Sequence, residues 1–396
     1  MTTVYVDNAA TTAMSKKAIE AYLPYMDGIY GNPSSLHTVG QVAKEHLEAA
    51  RERVAKCINA DPNEIYFTSG GSEADNQAIR SAAYFGARKG KKHLISTAFE
   101  HHAVLHTLEK LRREGFEVTL LPVGKEGLIT PEQVEAAIRP DTALVTIMTA
   151  NNEVGTIEPI AEIGAVCRKH GVTFHTDAVQ AIGHIPVDVK AQNIDMLSLS
   201  GHKFHGPKGV GALFCKKGTP LQSFIEGGAQ ERKKRAGTEN IAGIVSMSVA
   251  MEESCSNMAA NAEKETRLRD RLIDGLMQIP HTKLNGARYT RLPGNVNLCF
   301  EGIEGESLLL HLDERGICAS SGSACTSGSL EPSHVLLALG LPHEVAHGSL
   351  RLSLCEWNTD EEIDLILKAV PEVVQYLRDM SPVWEELEKG ERPHLI

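Results

Sequence analysis

From about residue 50 to residue 215, short apolar runs alternate with stretches of helical period. Residues 64–68, 93–97, 117–121, 143–149, 172–176, 195–199 and 210–214 read as strands. Residues 73–80, 103–113 and 160–170 carry the helical pattern between them. Strands separated by helices predict an α/β fold, with a mostly parallel sheet covered by helices on both faces. In such sheets ligands sit beyond the carboxyl ends of the strands, so the chemistry is expected just after each strand. The pattern changes after about residue 250. A long, charge-rich helix over 252–276 is followed by short strands at 294–300, 316–319 and 350–354 and a helix at 361–378, which predicts a smaller C-terminal α+β domain.

A chain of 396 residues is long enough for two or three domains. Aromatic residues are only 5%, so the core rests on Ala, Val, Ile and Leu. The net charge of −11 gives the chain no general attraction for nucleic acid or an anionic membrane. Apolar runs such as 143–148 fall far short of the roughly 20 residues that cross a bilayer. Residues 1–10 lack a basic stretch followed by an apolar one, so the expected location is the cytoplasm. The eight cysteines include no Cys-x-x-Cys pair, and in a reducing compartment most are expected to be free thiols. Cys325 alone sits in a Ser/Gly-rich segment, residues 320–329.

Four strand ends carry candidate chemistry. Strand 64–68 runs into Ser69-Gly70-Gly71-Ser72-Glu73. Glycines and a serine at a helix start present backbone N–H groups to a phosphate, although the same residues suit an ordinary helix capped by Ser72. Strand 93–97 leads to Glu100-His101-His102, although a lone strand-end histidine is more often a hydrogen-bonded surface residue. Strand 172–176 ends at Asp177, with Gln180 three residues on; the competing reading is an N-cap aspartate. Strand 195–199 precedes Ser200-Gly201-His202-Lys203, and Phe204-His205-Gly206 follow. His202 and His205 have no Cys or carboxylate at ligand spacing, so they are not read as a metal pair. A phosphate cradle, an acid, a ring-facing histidine and a loop lysine are together what pyridoxal 5′-phosphate requires. The lysine bonds the aldehyde covalently, and the aspartate keeps the pyridine nitrogen protonated so that the ring accepts electrons.

On these residues the chain resembles the cysteine desulfurases of the NifS/IscS type, within the class V aminotransferase superfamily of fold type I. The likeness runs nearly end to end. It includes Val6-Asp7-Asn8-Ala9-Ala10-Thr11-Thr12, Gly31-Asn32-Pro33-Ser34-Ser35-Leu36-His37, Ala150-Asn151-Asn152-Glu153-Val154-Gly155, His175-Thr176-Asp177-Ala178-Val179-Gln180, Ser200-Gly201-His202-Lys203, Arg235-Ala236-Gly237-Thr238-Glu239-Asn240 and Ser321-Gly322-Ser323-Ala324-Cys325. The last separates desulfurases from aminotransferases of the same fold.

The resemblance implies a large cofactor domain over 15–254 with a seven-stranded, mostly parallel sheet. Residues 1–14 and 255–396 form the small α+β domain with the cysteine loop. It makes Lys203 the covalent anchor of the cofactor, His101 the ring-stacking and proton-transfer residue, and Cys325 the sulfur acceptor. Asp177 faces the pyridine nitrogen and Gln180 the phenolic oxygen. Gly71, Ser72, Ser200 and His202 hold the phosphate, joined by Thr238 of a second subunit in a homodimer. Asn152 contacts cofactor and substrate, and Arg351 clamps the carboxylate of L-cysteine. The product is L-alanine, and the sulfur leaves as a Cys325 persulfide for an acceptor or iron–sulfur scaffold protein, where Cys325 makes a transient contact with iron. The wording of 235–240 and 326–334 sits nearer the nitrogen-fixation subtype than the housekeeping one. Selenocysteine lyases and class V aminotransferases would use the same Lys203 and Asp177, and a non-catalytic sulfur-relay platform is the alternative from another class. Two stretches depart from the family wording: Gly70-Gly71-Ser72, where many relatives have Ala or Cys followed by Thr, and Cys355-Glu356-Trp357 after Arg351. The basic run 232–235 reads as a solvated loop, or as a subunit-interface element because Thr238 follows it.

Overall fold

The computed structural model describes residues 3–321 and 332–396. Its first strand, Val4–Tyr5 (β1), is followed by seven strands that share one sheet: Ile65–Thr68 (β2), His93–Thr97 (β3), Glu117–Leu121 (β4), Thr142–Thr146 (β5), Thr173–Asp177 (β6), Met196–Ser200 (β7) and Gly211–Cys215 (β8). Their order is β2-β8-β7-β6-β5-β3-β4. All neighbours are parallel except β8, which runs antiparallel to both β2 and β7. The α/β expectation therefore holds, with seven strands.

Alternation along the strands explains why both faces need helices. Leu94, Leu144, Met196 and Leu213 pack on one face against the helices Gly71–Ala87 and His102–Arg113, whereas Ile95, Val145, Leu197 and Phe214 face the opposite side. That second face is covered by residues of Thr38–Cys57, Ile160–His170 and the first turns of Ile241–Leu276. Chain order reverses direction across the sheet between β3 and β5, so the segments after β3, β5, β6 and β7 emerge along one edge.

Four further strands are Thr282–Leu284 (β9), Asn295–Phe300 (β10), Ile317–Cys318 (β11) and Ser349–Ser353 (β12). β12-β10-β9 form an antiparallel sheet, and β1 pairs in parallel with β11 through Val4↔Ile317 and Tyr5↔Cys318. Val4 and Val6 share a separate apolar cluster with Leu298, Phe300, Leu352 and the helix Asp360–Asp379. The helix Ile241–Leu276 is longer than its sequence pattern suggests, starting at Ile241 rather than near residue 252. Its first turns bury nearly every side chain, so they lack a polar face to signal the period, and the Asn240 side chain caps them by accepting from the Gly243 N–H. Its two ends serve different cores: Met247 and Met251 belong to the first, Leu268 and Leu272 to the second.

Candidate active site

The segments along that edge of the sheet enclose a cavity of about 370 Å³. Gly71, Ser72, His101, Asn152, Asp177, Gln180, Ser200, His202, Lys203 and Arg351 all line it. Ten of the residues singled out in the sequence therefore converge on one space from six separate segments of chain. Thr238 is not among them: it is exposed, in the stretch before the helix Ile241–Leu276. Cys325 lies outside the described residues, and so does its expected contact with iron.

Lys203 ends a single 3-10 turn, Gly201–Lys203, directly after β7. Its Nζ donates to the carbonyls of Ala9 at 2.6 Å and Ala10 at 2.8 Å. The turn is clasped by the same N-terminal segment. The backbone N–H and hydroxyl of Thr12 donate to the His202 carbonyl, and Thr11 Oγ1 lies 3.1 Å from His202 Nδ1. Burial and the neighbouring Lys203 and Lys208 push the His202 imidazole down to about 4, so it is neutral near pH 7.

Asp177 closes β6, and its carboxylate accepts from the Val179 N–H at 2.9 Å. Burial nevertheless raises it to about 6. Asp75, on the helix Gly71–Ala87, sits beside it; burial and the Asp177 charge drive its carboxyl well above the usual range. Polar atoms of Asp75, Asp177 and His101 all lie within 4.8 Å of one another. His101 caps the helix His102–Arg113 by accepting the Ala103 N–H on Nδ1 at 3.1 Å, which places the neutral ring's proton on Nε2. Burial first, then Lys203, lowers His101 to about 4.

Arg351 on β12 is 2% exposed. It donates to Asp7 Oδ1 at 2.8 Å and to the Asn152 carbonyl at 3.1 Å, while its buried Nε has no partner among the described residues. A guanidinium fixed by one carboxylate and one carbonyl in the cavity wall is prepared for a small carboxylate. Elsewhere on the cavity wall, the first amides of the helix Gly71–Ala87 have no intrahelical acceptor. A Cβ on Gly71 would sit 2.6 Å from Val179 Cγ2, so glycine keeps that approach open. The acidic Glu73 in this first turn is neutralised by Arg235 at 3.0 Å, which ties the basic run 232–235 to the helix start.

The chain matches the aminotransferase class-V family profile over residues 4–366. It belongs to the class V aminotransferase family. A curated relative, the cysteine desulfurase IscS of Methanosarcina thermophila, is 56% identical over 380 residues, covering 96% of this chain and 94% of the relative. Among solved structures, a NifS-like protein superposes with a TM-score of 0.89 at 39% identity, covering 95% of this chain and all of the other. A structure described as SspA in complex with cysteine gives 0.80 at 38% identity over 90% of this chain and all of the other. Members of the family depend on pyridoxal phosphate. The donor set here fits that group: a helix start kept clear by Gly71, a buried carboxylate at Asp177 and a primary amine at Lys203 all line one cavity.

The sequence reading missed Asp7, Asp75 and the carbonyls of Ala9 and Ala10. Asp7, Ala9 and Ala10 lie in a stretch whose family likeness is plain but which carries no catalytic residue type in a telling spacing. Asp75 lies one helical turn beyond Gly71 and reads as a solvent-facing acid until the sheet packs on it.

Proposed function

We propose that this chain is a pyridoxal-phosphate-dependent cysteine desulfurase that converts L-cysteine to L-alanine and passes the sulfur on through Cys325. The observation that carries this is the meeting of Lys203, Asp177 and Arg351 in one 370 Å³ cavity, sized for a cofactor with a small amino acid. When bound, the cofactor supplies an aldehyde that captures amines and a ring that takes up electrons from bonds broken next to the captured nitrogen. Gly71, Ser72, Ser200 and His202 would hold its phosphate, Asp177 its ring nitrogen, Gln180 its phenolic oxygen, and Lys203 its aldehyde carbon.

The chain's own groups then divide the work. Arg351, steadied by Asp7, orients the substrate carboxylate so that the amino group faces Lys203. With the cofactor held in the cavity, the Lys203 amine would serve as the base for the substrate's α-proton. The carbonyls of Ala9 and Ala10 hold that nitrogen in place. His101 is neutral near pH 7 and has room for one proton, on the Nδ1 that now receives the Ala103 N–H. The Cys325 thiolate attacks the substrate sulfur, which leaves as a persulfide while the carbon fragment takes up protons and departs as alanine.

The oligomer is a homodimer in which Thr238 serves the neighbour's phosphate site. Thr238 is exposed, and Leu36 at 95%, Tyr30 at 73% and Met26 at 58% exposure supply apolar surface for a partner. The acceptor is an iron–sulfur scaffold protein, in line with the sequence likeness to the NifS/IscS type.

Cys325→Ala tests the reading. The variant retains cofactor and binds L-cysteine, while alanine and sulfide production falls to the level of Lys203→Ala. Wild-type turnover in Cys325→Ala would remove the sulfur-acceptor role and move the reading toward a lyase.

A further inference from the structure

Behind the lysine turn lies a second cavity, about 580 Å³, whose wall includes His205, Glu356 and Trp357. His205 follows Lys203 by two residues and is buried, in a left-handed backbone conformation with φ of 62°. Its Nδ1 lies 2.9 Å from the Ala13 carbonyl. A carbonyl only accepts, so Nδ1 carries the ring proton and Nε2 of the neutral ring carries a lone pair. That lone pair faces Glu356 Oε2 at 3.2 Å. Two acceptors in that arrangement need a positive charge between them, either a second proton on the ring or a cation.

A third ligand atom is at hand. Nitrogen, sulfur and oxygen ligand atoms of His205, Cys355 and Glu356 all lie within 4.8 Å of one another. Burial pushes the Cys355 thiol up to about 12, only partly offset by the backbone N–H groups of Trp357 and Asn358 that point at its sulfur, so a thiolate forms there only when a cation replaces the proton. We propose that His205, Cys355 and Glu356 form a binding site for a divalent metal ion of the zinc class. One imidazole nitrogen, one thiolate and one carboxylate are the ligands such a borderline ion takes, and the remaining position opens on the cavity, where water completes the shell. The His205–Ala13 bond is the outer contact that orients a ligating imidazole. Binding releases the Cys355 thiol proton to solvent.

The site gives Cys355-Glu356-Trp357, the stretch that departs from the family wording, a physical role. The two histidines of the 200–209 loop find no ligand nearby in sequence, and His205 finds its partners 150 residues later. The ion would staple the lysine turn to the exit of β12, four residues past Arg351, and so join two walls of the active site. The inference stands apart from the desulfurase reading.

The test uses the tag-free, cofactor-loaded full chain carrying Cys325→Ala, so that the expected acceptor thiol contributes no ligand. After chelator treatment it is titrated with Co²⁺ and then Zn²⁺, with bound metal measured by elemental analysis and by visible ligand-field and thiolate-to-cobalt absorption. One ion per chain is expected. Cys355→Ser should lose the thiolate band, and Glu356→Gln and His205→Asn should weaken binding by about tenfold or more. Cofactor absorbance and a thermal melt verify each fold. The partly exposed Glu356 keeps the test decisive even where Cys355→Ser does not fold. No stoichiometric uptake, or uptake unchanged in Cys355→Ser and Glu356→Gln, overturns the site. A doubly protonated His205 in nitrogen NMR without bound metal would show that the charge is a proton, and would overturn it equally.

Discussion

Arg351→Lys separates substrate orientation from chemistry. Arg351 is buried, with one Nη nitrogen on Asp7 Oδ1 at 2.8 Å and the other on the Asn152 carbonyl at 3.1 Å. Lysine keeps the charge but has a single compact ammonium, which Asp7 alone would satisfy. The second directed bond to a substrate carboxylate is then lost. A hydrogen bond to a charged group contributes about 1.5–3 kcal/mol. At roughly 1.4 kcal/mol per factor of ten, KM for L-cysteine should rise about 10- to 100-fold. The bond is present before and during the chemical step, so kcat should change much less than KM. The assay is alanine formation against L-cysteine concentration, run beside L-cysteine methyl ester, which lacks the carboxylate charge. Wild type should prefer the acid over the ester by far more than the variant does. An unchanged KM with a lowered kcat, or an undiminished preference for the acid, would refute the clamp. A melting curve close to wild type verifies that the buried exchange did not unfold the site.

Three further outcomes follow from the same geometry. Gly71→Ala places a Cβ 2.6 Å from Val179 Cγ2, so cofactor affinity, followed by absorbance during dialysis, should fall by about tenfold or more; unchanged retention would remove the helix start from the phosphate site. Glu100 is buried with Oε2 unpartnered among the described residues, and burial raises its carboxyl to about 8 from 4.5. The folded state therefore holds this proton more tightly than the unfolded state. Its stabilisation is complete below about pH 4.5 and is lost as pH rises through 8. Glu100→Gln should thus flatten the fall of unfolding free energy across that window by up to about 1.4 kcal/mol per pH unit, and an unaltered slope in denaturant melts would exclude Glu100 as its source. In sedimentation equilibrium the chain should be a dimer, and an active monomer would remove Thr238 from the phosphate site.

The α/β class and the seven main strands were legible because apolar runs bounded by polar residues recur with β-α spacing, and strand bounds shift by only a few residues in the structure. His93–Thr97 and Glu117–Leu121 match residue for residue. The first turns of Ile241–Leu276 were not legible as helix, because a segment buried all round has no polar stripe to reveal its period. Most candidate site residues were legible as well, since Lys203, Asp177 and His101 follow strands and carry distinctive side-chain chemistry. Asp75 escaped because its meaning comes from a neighbour, Asp177, about a hundred residues away. The His205–Glu356 contact escaped for the same reason: spacing along the chain says nothing about partners that only the packing of the lysine turn against the exit of β12 brings together.

The N-terminal segment shows how far a site can depend on groups that sequence patterns do not display. Asp7 fixes Arg351, and the Ala9 carbonyl receives both Lys203 Nζ and Gln180 Nε2, the latter at 2.9 Å. The Ala10 carbonyl receives Lys203 again, Thr11 and Thr12 hold His202, and the Ala13 carbonyl takes His205 Nδ1. Most of these contacts are made by backbone oxygens, which every residue possesses, so nothing in the side-chain alphabet marks them. The segment can act in this way because β1 is paired with β11 and Asp7 bridges to Ser353, anchoring it to the sheet that also presents Arg351. Its carbonyls then reach across to the turn after β7. Lysine, on the turn after β7, and arginine, on β12 of another sheet, are thereby positioned against one rigid reference, and a shift in that reference would move the amine and the carboxylate clamp together.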